Sequence, residues 1–407
     1  MCIRCLELSR RSLLVGGGVA AASLTTGVAQ ARVRPQDMVP LVGPGYRPTE
    51  ADEQGLWQLM ERAEEEIAGS NLLIQDPALT AYLKDIIVRV GGPAAKDFRI
   101  YLAHIPDFNA MMFPSGFSVI FSGLLLRARN EAQLAGVIAH EASHFLRRHM
   151  IRSWRDQRRK TDMFAIGSML AGVGGAAGGV YLGDYVQLAQ LGTILSLFTY
   201  SRAMEAEADA MGAKILAETG YPPIEMANIW QQLIGEEAAS ARYRRKRRRR
   251  GSLFDTHPSP DSRMADLRIS AVEVTVPGRA YDSRRQRYLS TLAPIRQMLL
   301  DDQVKLNDPG ASQYLISTLA QDGWNGLLRF YEGEIWRLRN RPGDDARAAQ
   351  SYSAATLYPD APADAFRWHG IALLKAGRAG EAKAAFARYL TMKPNAPDAA
   401  WVRQMMG

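Results

Sequence analysis

His140-Glu141-Ala142-Ser143-His144 sets two imidazoles four residues apart with a carboxylate beside the first. On a helix, that spacing puts both rings on one face, one turn apart. There they can share one Zn²⁺ per chain and leave positions for a third ligand and a water. Glu141 can take a proton from water as it attacks a peptide carbonyl, then return it to the leaving amine. The chain holds only six histidines, so the pairing is no by-product of a histidine-rich composition.

The third ligand must come from elsewhere. His149 lies five residues past His144, off the ligand face, and is expected to cap the helix or meet solvent. Ser201 to Asp209 reads Ser-Arg-Ala-Met-Glu-Ala-Glu-Ala-Asp, which puts Glu205 and Asp209 one turn apart on another helix. Glu205 can complete a His/His/Glu set, and Asp209 can accept the ring N–H of a ligand histidine. By spacing alone the two acids are more economically a solvated face.

The elements that must position these groups are legible around them. Ala132 to Ala139 is rich in helix formers and leads into the histidines with apolar residues on the opposite side. Phe98 to Ala103 alternates as a strand, and Phe117 to Phe121 reads as a second after the turn Pro114-Ser115-Gly116. Thr49 to Ala68 is an acidic amphipathic helix. Asp76-Pro77 opens another, closed by Gly91-Gly92-Pro93. A helix from Ala203 to Glu218 stops at Gly220-Tyr221-Pro222-Pro223. Glu273 to Pro277 closes this domain, and Arg284 to Leu299 reads as a linking helix. Further on, Gly370, Gly377, Ala382, Phe386 and Pro394 fall at the spacing of a tetratricopeptide repeat. About 34 residues earlier, Ala348, Tyr352, Ala355 and Pro359 form a weaker copy without the early glycine. Asp302 to Met406 is therefore expected to hold two helical pairs and a capping helix, with an unspecialised bundle as the alternative.

The N-terminus reads as an export signal. Arg4, Arg10 and Arg11 precede an uncharged apolar run from Ser12 to Val28, and Ala29-Gln30-Ala31 offers a cleavage site. Ser9-Arg10-Arg11-Ser12-Leu13-Leu14 has the look of a twin-arginine motif. Cleavage would remove Cys2 and Cys5, leaving a mature protein with no cysteine and no disulfide. The net charge of +8 suggests nucleic acid until it is located: Arg242, Arg244, Arg245, Lys246 and Arg247 to Arg250 carry eight positive charges by themselves. No basic face spans the protein, and nucleic acid is not an expected partner. That run reads as a solvated loop or a contact for anionic headgroups. Met163 to Gly183 is a 21-residue uncharged stretch, followed after Asp184 by 17 more. Its seven glycines favour a lipid- or partner-facing helical lid over a transmembrane hairpin or plain internal packing. Residues 163–201 and Arg242–Arg250 are thus the candidates for peripheral membrane contact.

HEASH followed by SRAMEAEAD resembles the CAAX-prenyl-protease/HtpX-type gluzincin zinc metallopeptidases. A signal in front and repeats behind are most similar to the BepA-like periplasmic branch of that family. The resemblance covers about residues 50–275 and 310–405. It implies that Glu205 is the third zinc ligand and that Asp209 is the aspartate of the family's E-x-x-x-D. Asn109-Ala110 through Gly116 to Gly123-Leu124-Leu125 resembles the segment whose strand borders the cleft, with Ser115 where a second glycine is usual. A substrate peptide would pair with that strand. Thr256-His257-Pro258 with Arg263 resembles another element near the active site. There His257 would stabilise the tetrahedral oxyanion or approach the metal and restrain activity.

The expected fold is α+β: a mainly helical gluzincin-type metallopeptidase domain with a small sheet, followed by an all-α tetratricopeptide-repeat domain. The expected divisions are 1–31 (signal), 32–280 (zinc metallopeptidase), 281–301 (linking helix) and 302–407 (repeats). The implied function is periplasmic, zinc-dependent cleavage of misfolded or stalled outer-membrane proteins, with the repeats engaging the outer-membrane assembly machinery. The alternative is a chaperone or scaffold for that assembly in which proteolysis is gated or rare. An inner-membrane HtpX-type protease would lack both the cleavable signal and the repeats.

Overall fold

In the computed structural model, the helix bearing the two histidines, Glu131–Leu146, starts where the Asn130 side chain accepts the backbone N–H of Gln133. All of its residues are buried, so it is a central rod enclosed by other elements rather than a surface helix with one apolar stripe. Residues 33–158, 200–243 and 260–407 are described. The export signal, residues 163–199, the basic run beyond Arg242 and His257 lie outside the described residues.

A three-stranded sheet reaches the central helix through its strand Ala110–Met112. β1 (Arg99–Ala103) pairs parallel with β3 (Phe117–Phe121), and β3 pairs antiparallel with β2 (Ala110–Met112), giving the order β1-β3-β2. The expected strands at 98–103 and 117–121 are both present. β2 has only three residues and too little alternation to be read on its own. The hairpin closes at Gly116, whose φ of 90° suits glycine, and a Cβ there would lie 2.3 Å from the Asp97 carbonyl oxygen. Only glycine fits that turn.

Arg202–Glu218, capped by Ser201, lies against the central helix. Their close approach depends on Gly212, where a Cβ would sit 2.9 Å from Met226 Cε and 3.4 Å from the His140 backbone nitrogen. Two helices absent from the sequence reading, Glu225–Ala241 and Pro260–Val274, pack onto this pair. In the first, Met226, Ile229, Trp230 and Leu233 are buried at helical spacing, a stripe that carries the 3.6-residue period. The expected linking helix is divided into Arg285–Leu292 and Arg296–Lys305, with a 3-10 turn at Ala293–Ile295. Pro294 is the physical reason: it has no N–H to donate and its ring clashes with the preceding turn.

Beyond Pro309–Leu319, helices Gly326–Arg339 and Asp344–Ala355 pack as one pair. Ala363–Lys375 and Ala379–Met392 form a second, followed by Ala399–Met405. In each pair a glycine of the first helix, Gly333 or Gly370, sits against an aromatic ring of the second. A Cβ on Gly333 would meet the Tyr352 ring at 2.5 Å, and one on Gly370 would meet the Phe386 ring at 2.6 Å. The two glycines are 37 residues apart while their aromatic partners are 34 apart, which hid the correspondence. One hydrophobic cluster runs from Val42 through Leu134 and Ile138 to Leu315, Tyr331 and Ala365. Among the described residues no helix is long and apolar enough to cross a membrane.

Candidate metal centre and active site

The central helix aims His140 and His144 at the same point, and the neighbouring Arg202–Glu218 helix brings Glu205 to it. The Nε2 atoms of His140 and His144 are 3.0 Å apart. Glu205 Oε2 lies 3.7 Å from His140 Nε2, and Oε1 lies 3.6 Å from His144 Nε2. One donor atom from each residue falls within 4.8 Å of the others. Four ligands at about 2.05 Å from a tetrahedral Zn²⁺ stand roughly 3.3 Å from one another, so this donor set fits such an ion. Two neutral imidazoles and a carboxylate also suit its charge and borderline softness. The three groups are buried, as is Glu141 beside them.

Each histidine is held from behind. His140 Nδ1 lies 2.9 Å from Asp209 Oδ1, which directs its other nitrogen toward Glu205. Arg263 grips Asp209 with two hydrogen bonds, Nε to Oδ2 at 2.9 Å and Nη2 to Oδ1 at 2.7 Å. Its Nη1 lies 3.0 Å from Glu205 Oε2, and its guanidinium stacks 4.3 Å from the Trp230 ring centroid. Burial opposes the charge on Asp209, but Arg263 and the His140 N–H hold its carboxyl well below the usual carboxylate range. Burial also disfavours a charged His140, yet the hydrogen bond and charge of Asp209 prevail and raise its pKa. Asp209 is therefore no solvated acid. The sequence placed Arg263 near the site only by resemblance and gave it no task.

On the other side, His149 neither caps the central helix, whose C-cap is Arg147, nor meets solvent. It is fully buried and begins the next helix, His149–Arg158. The turn before it passes through Arg148 at φ 55°, and this reversal carries the ring under His144. His149 Nδ1 lies 2.9 Å from His144 Nδ1, and its Nε2 lies 3.1 Å from Glu207 Oε2. Hydrogen bonds from His149, and from Arg152 and Arg147, hold the Glu207 carboxyl well below its ordinary range. Tyr200 stacks on His144 with centroids 3.9 Å apart. Burial, with the charges of Glu141 and Glu205, pushes its phenol well above the ordinary value.

Glu141 and His140 border a narrow cavity walled by Phe108, Val137, Met226, Ile229 and Trp230. Edge strand β2 runs beside the same helix. A buried carboxylate next to a His/His/Glu donor set can accept a proton from water and deliver it to a leaving group in a largely dry space.

This fold and this site define a metallopeptidase. Residues 74–271 match Peptidase family M48 and are similar to the metallopeptidases of that family. It is 31% identical over 267 residues to a beta-barrel assembly-enhancing protease of Yersinia pestis, covering 64% of this chain and 52% of that protein. The protein of the same description from Escherichia coli (strain K12) is 31% identical over 257 residues, covering 61% of this chain and 50% of its own length. Mitochondrial metalloendopeptidase OMA1 of Arabidopsis thaliana is 29% identical over 171 residues, 41% of this chain and 30% of its own. The chain thus spans about half the length of the first two of these relatives.

Proposed function

We propose that this protein is a zinc-dependent endopeptidase of the bacterial envelope that cleaves misfolded or stalled outer-membrane proteins. The observation that carries the reading is the convergence of His140, His144 and Glu205 on one point with Glu141 beside it. Zn²⁺ held by those three residues would supply a Lewis acid to polarise the scissile carbonyl and acidify water. Glu141 acts as base toward the attacking water and then as acid toward the leaving amine. Asp209 fixes His140 with Nε2 toward the metal, and Arg263 fixes Asp209. His257 is assigned to the developing oxyanion. The edge position of β2 supports recognition of an extended peptide by added-strand pairing.

The likeness to two bacterial beta-barrel assembly-enhancing proteases supports β-barrel proteins as the substrate class, acted on in the periplasm after removal of residues 1–31. We divide the chain into a peptidase unit at 32–280, a link at 281–301 and tetratricopeptide-like pairs at 302–407. The matching Gly333/Tyr352 and Gly370/Phe386 contacts support the repeats, which are assigned to the assembly machinery. Residues 163–201 and the basic run are assigned to peripheral membrane contact.

The test is Glu141→Gln in the full chain. It should retain zinc and lose cleavage of an unfolded β-barrel outer-membrane protein. Cleavage at the wild-type rate overturns the reading. The burial of His140, Glu141, His144 and Glu205 favours a second reading, a scaffold in which proteolysis is gated. Restoration of envelope integrity by Glu141→Gln would select it.

A further inference from the structure

We propose that His149 and Glu207 are positioning residues for the metal centre, forming a relay that fixes His144 as Asp209 fixes His140. The proposal rests on the assignment of His144 as a metal ligand. If His144 presents Nε2 to the metal, that nitrogen carries no proton and its Nδ1 must carry one. The Nδ1–H then donates to His149 Nδ1 across 2.9 Å. His149 Nδ1 is thereby the acceptor, so the His149 proton resides on Nε2 and donates to Glu207 Oε2 across 3.1 Å. Donors and acceptors alternate without conflict from the ligand ring to a carboxylate, and the chain ends on a group that only accepts. Glu207 is anchored in turn by Arg147 Nη2 at 2.8 Å and Arg152 Nη1 at 3.0 Å.

The backbone is arranged for this contact. Arg148 is held in the left-handed region at φ 55°, which L-residues other than glycine, asparagine and aspartate seldom occupy. It is secured by an ion pair with the buried carboxylate of Glu53 and by packing over the Tyr46 ring at 5.2 Å. The turn places a fully buried histidine against a ligand histidine instead of an apolar side chain that would pack equally well. Partners of this kind orient a ligand ring and raise its basicity, and their loss typically weakens metal affinity by about 10- to 100-fold.

The experiment is zinc affinity by chelator competition on the full chain, alongside far-UV circular dichroism and the unfolding midpoint of the metal-free protein. His149→Leu fills the buried space but cannot accept the His144 proton. His149→Asn keeps an acceptor oxygen at the position of Nδ1. Leu should weaken zinc binding about 10- to 100-fold, with Asn recovering most of that loss. Glu207→Gln, which leaves His149 in place, should weaken binding in the same direction and by less. Wild-type affinity in His149→Leu, or equal losses in the Leu and Asn variants, overturns the relay. If Leu does not fold, unchanged affinity in Glu207→Gln overturns it instead. His144→Ala separates the two levels: loss of zinc there with retention in His149→Leu defeats the relay alone. Wild-type zinc affinity in His144→Ala defeats the metal-site reading beneath it.

Discussion

Replacing Arg263 by Met should destabilise the metal-free protein more than the zinc-loaded one. Arg263 is 7% exposed, Asp209 5% and Glu205 3%, so three charges share an interior largely closed to bulk solvent. The guanidinium makes two hydrogen bonds to Asp209, at 2.7 and 2.9 Å, and lies 3.0 Å from Glu205. Methionine preserves the packing on Trp230 and removes the positive charge. Breaking a buried ion pair by deleting one partner costs about 3–5 kcal/mol, because the remaining charge stays buried. That is the expected loss in the presence of a chelator. With zinc present, the metal compensates Glu205 and only the Asp209 arm is lost. The cost should then fall by about 1.5–3 kcal/mol, the worth of one hydrogen bond to a charged group. By thermodynamic linkage, native Arg263→Met must then bind zinc about 10- to 150-fold more tightly than wild type. The assay is denaturant unfolding followed by circular dichroism in chelator and in zinc. A loss below about 1 kcal/mol in both conditions, or an equal loss in both, would refute the argument.

Two further outcomes follow from the same geometry. Gly212→Val inserts side-chain atoms where Met226 Cε would stand only 2.9 Å from a Cβ. It should cost about 1–3 kcal/mol and weaken zinc binding by moving Glu205 away from the histidines; a stable variant with unchanged zinc affinity contradicts this. Asp209 and Glu207 have folded-state pKa values below their unfolded ones. Their contribution is therefore complete above the unfolded values near 4 and is lost as pH falls toward the folded values. Stability in chelator should accordingly decline below about pH 4, less steeply in Glu207→Gln, and an identical acid limb in that variant would count against the pairing.

A five-residue stretch is enough to specify the chemistry at one point of the molecule. The four-residue spacing of His140 and His144 has a single consequence on a helix, because 3.6 residues per turn place both on one face. The strands β1 and β3, the Asn130-capped central helix and the Ser201-capped helix were legible for the same local reason: period, caps and turn residues act over a few positions. A second element cannot be chosen in that way. Spacing alone left Glu205 and Asp209 better explained by water than by a metal. Only the close approach at Gly212 turns them inward, and only Arg263, 54 residues further on, makes their burial tolerable. Tertiary structure likewise decided His149. Its distance from His144 along an uninterrupted helix points it away from the ligand face, and the reversal at Arg148 puts it beneath the ring. Local periodicity fixes which residues can share a face. Which faces meet, and so which charges must compensate one another, depends on packing between segments far apart in the chain.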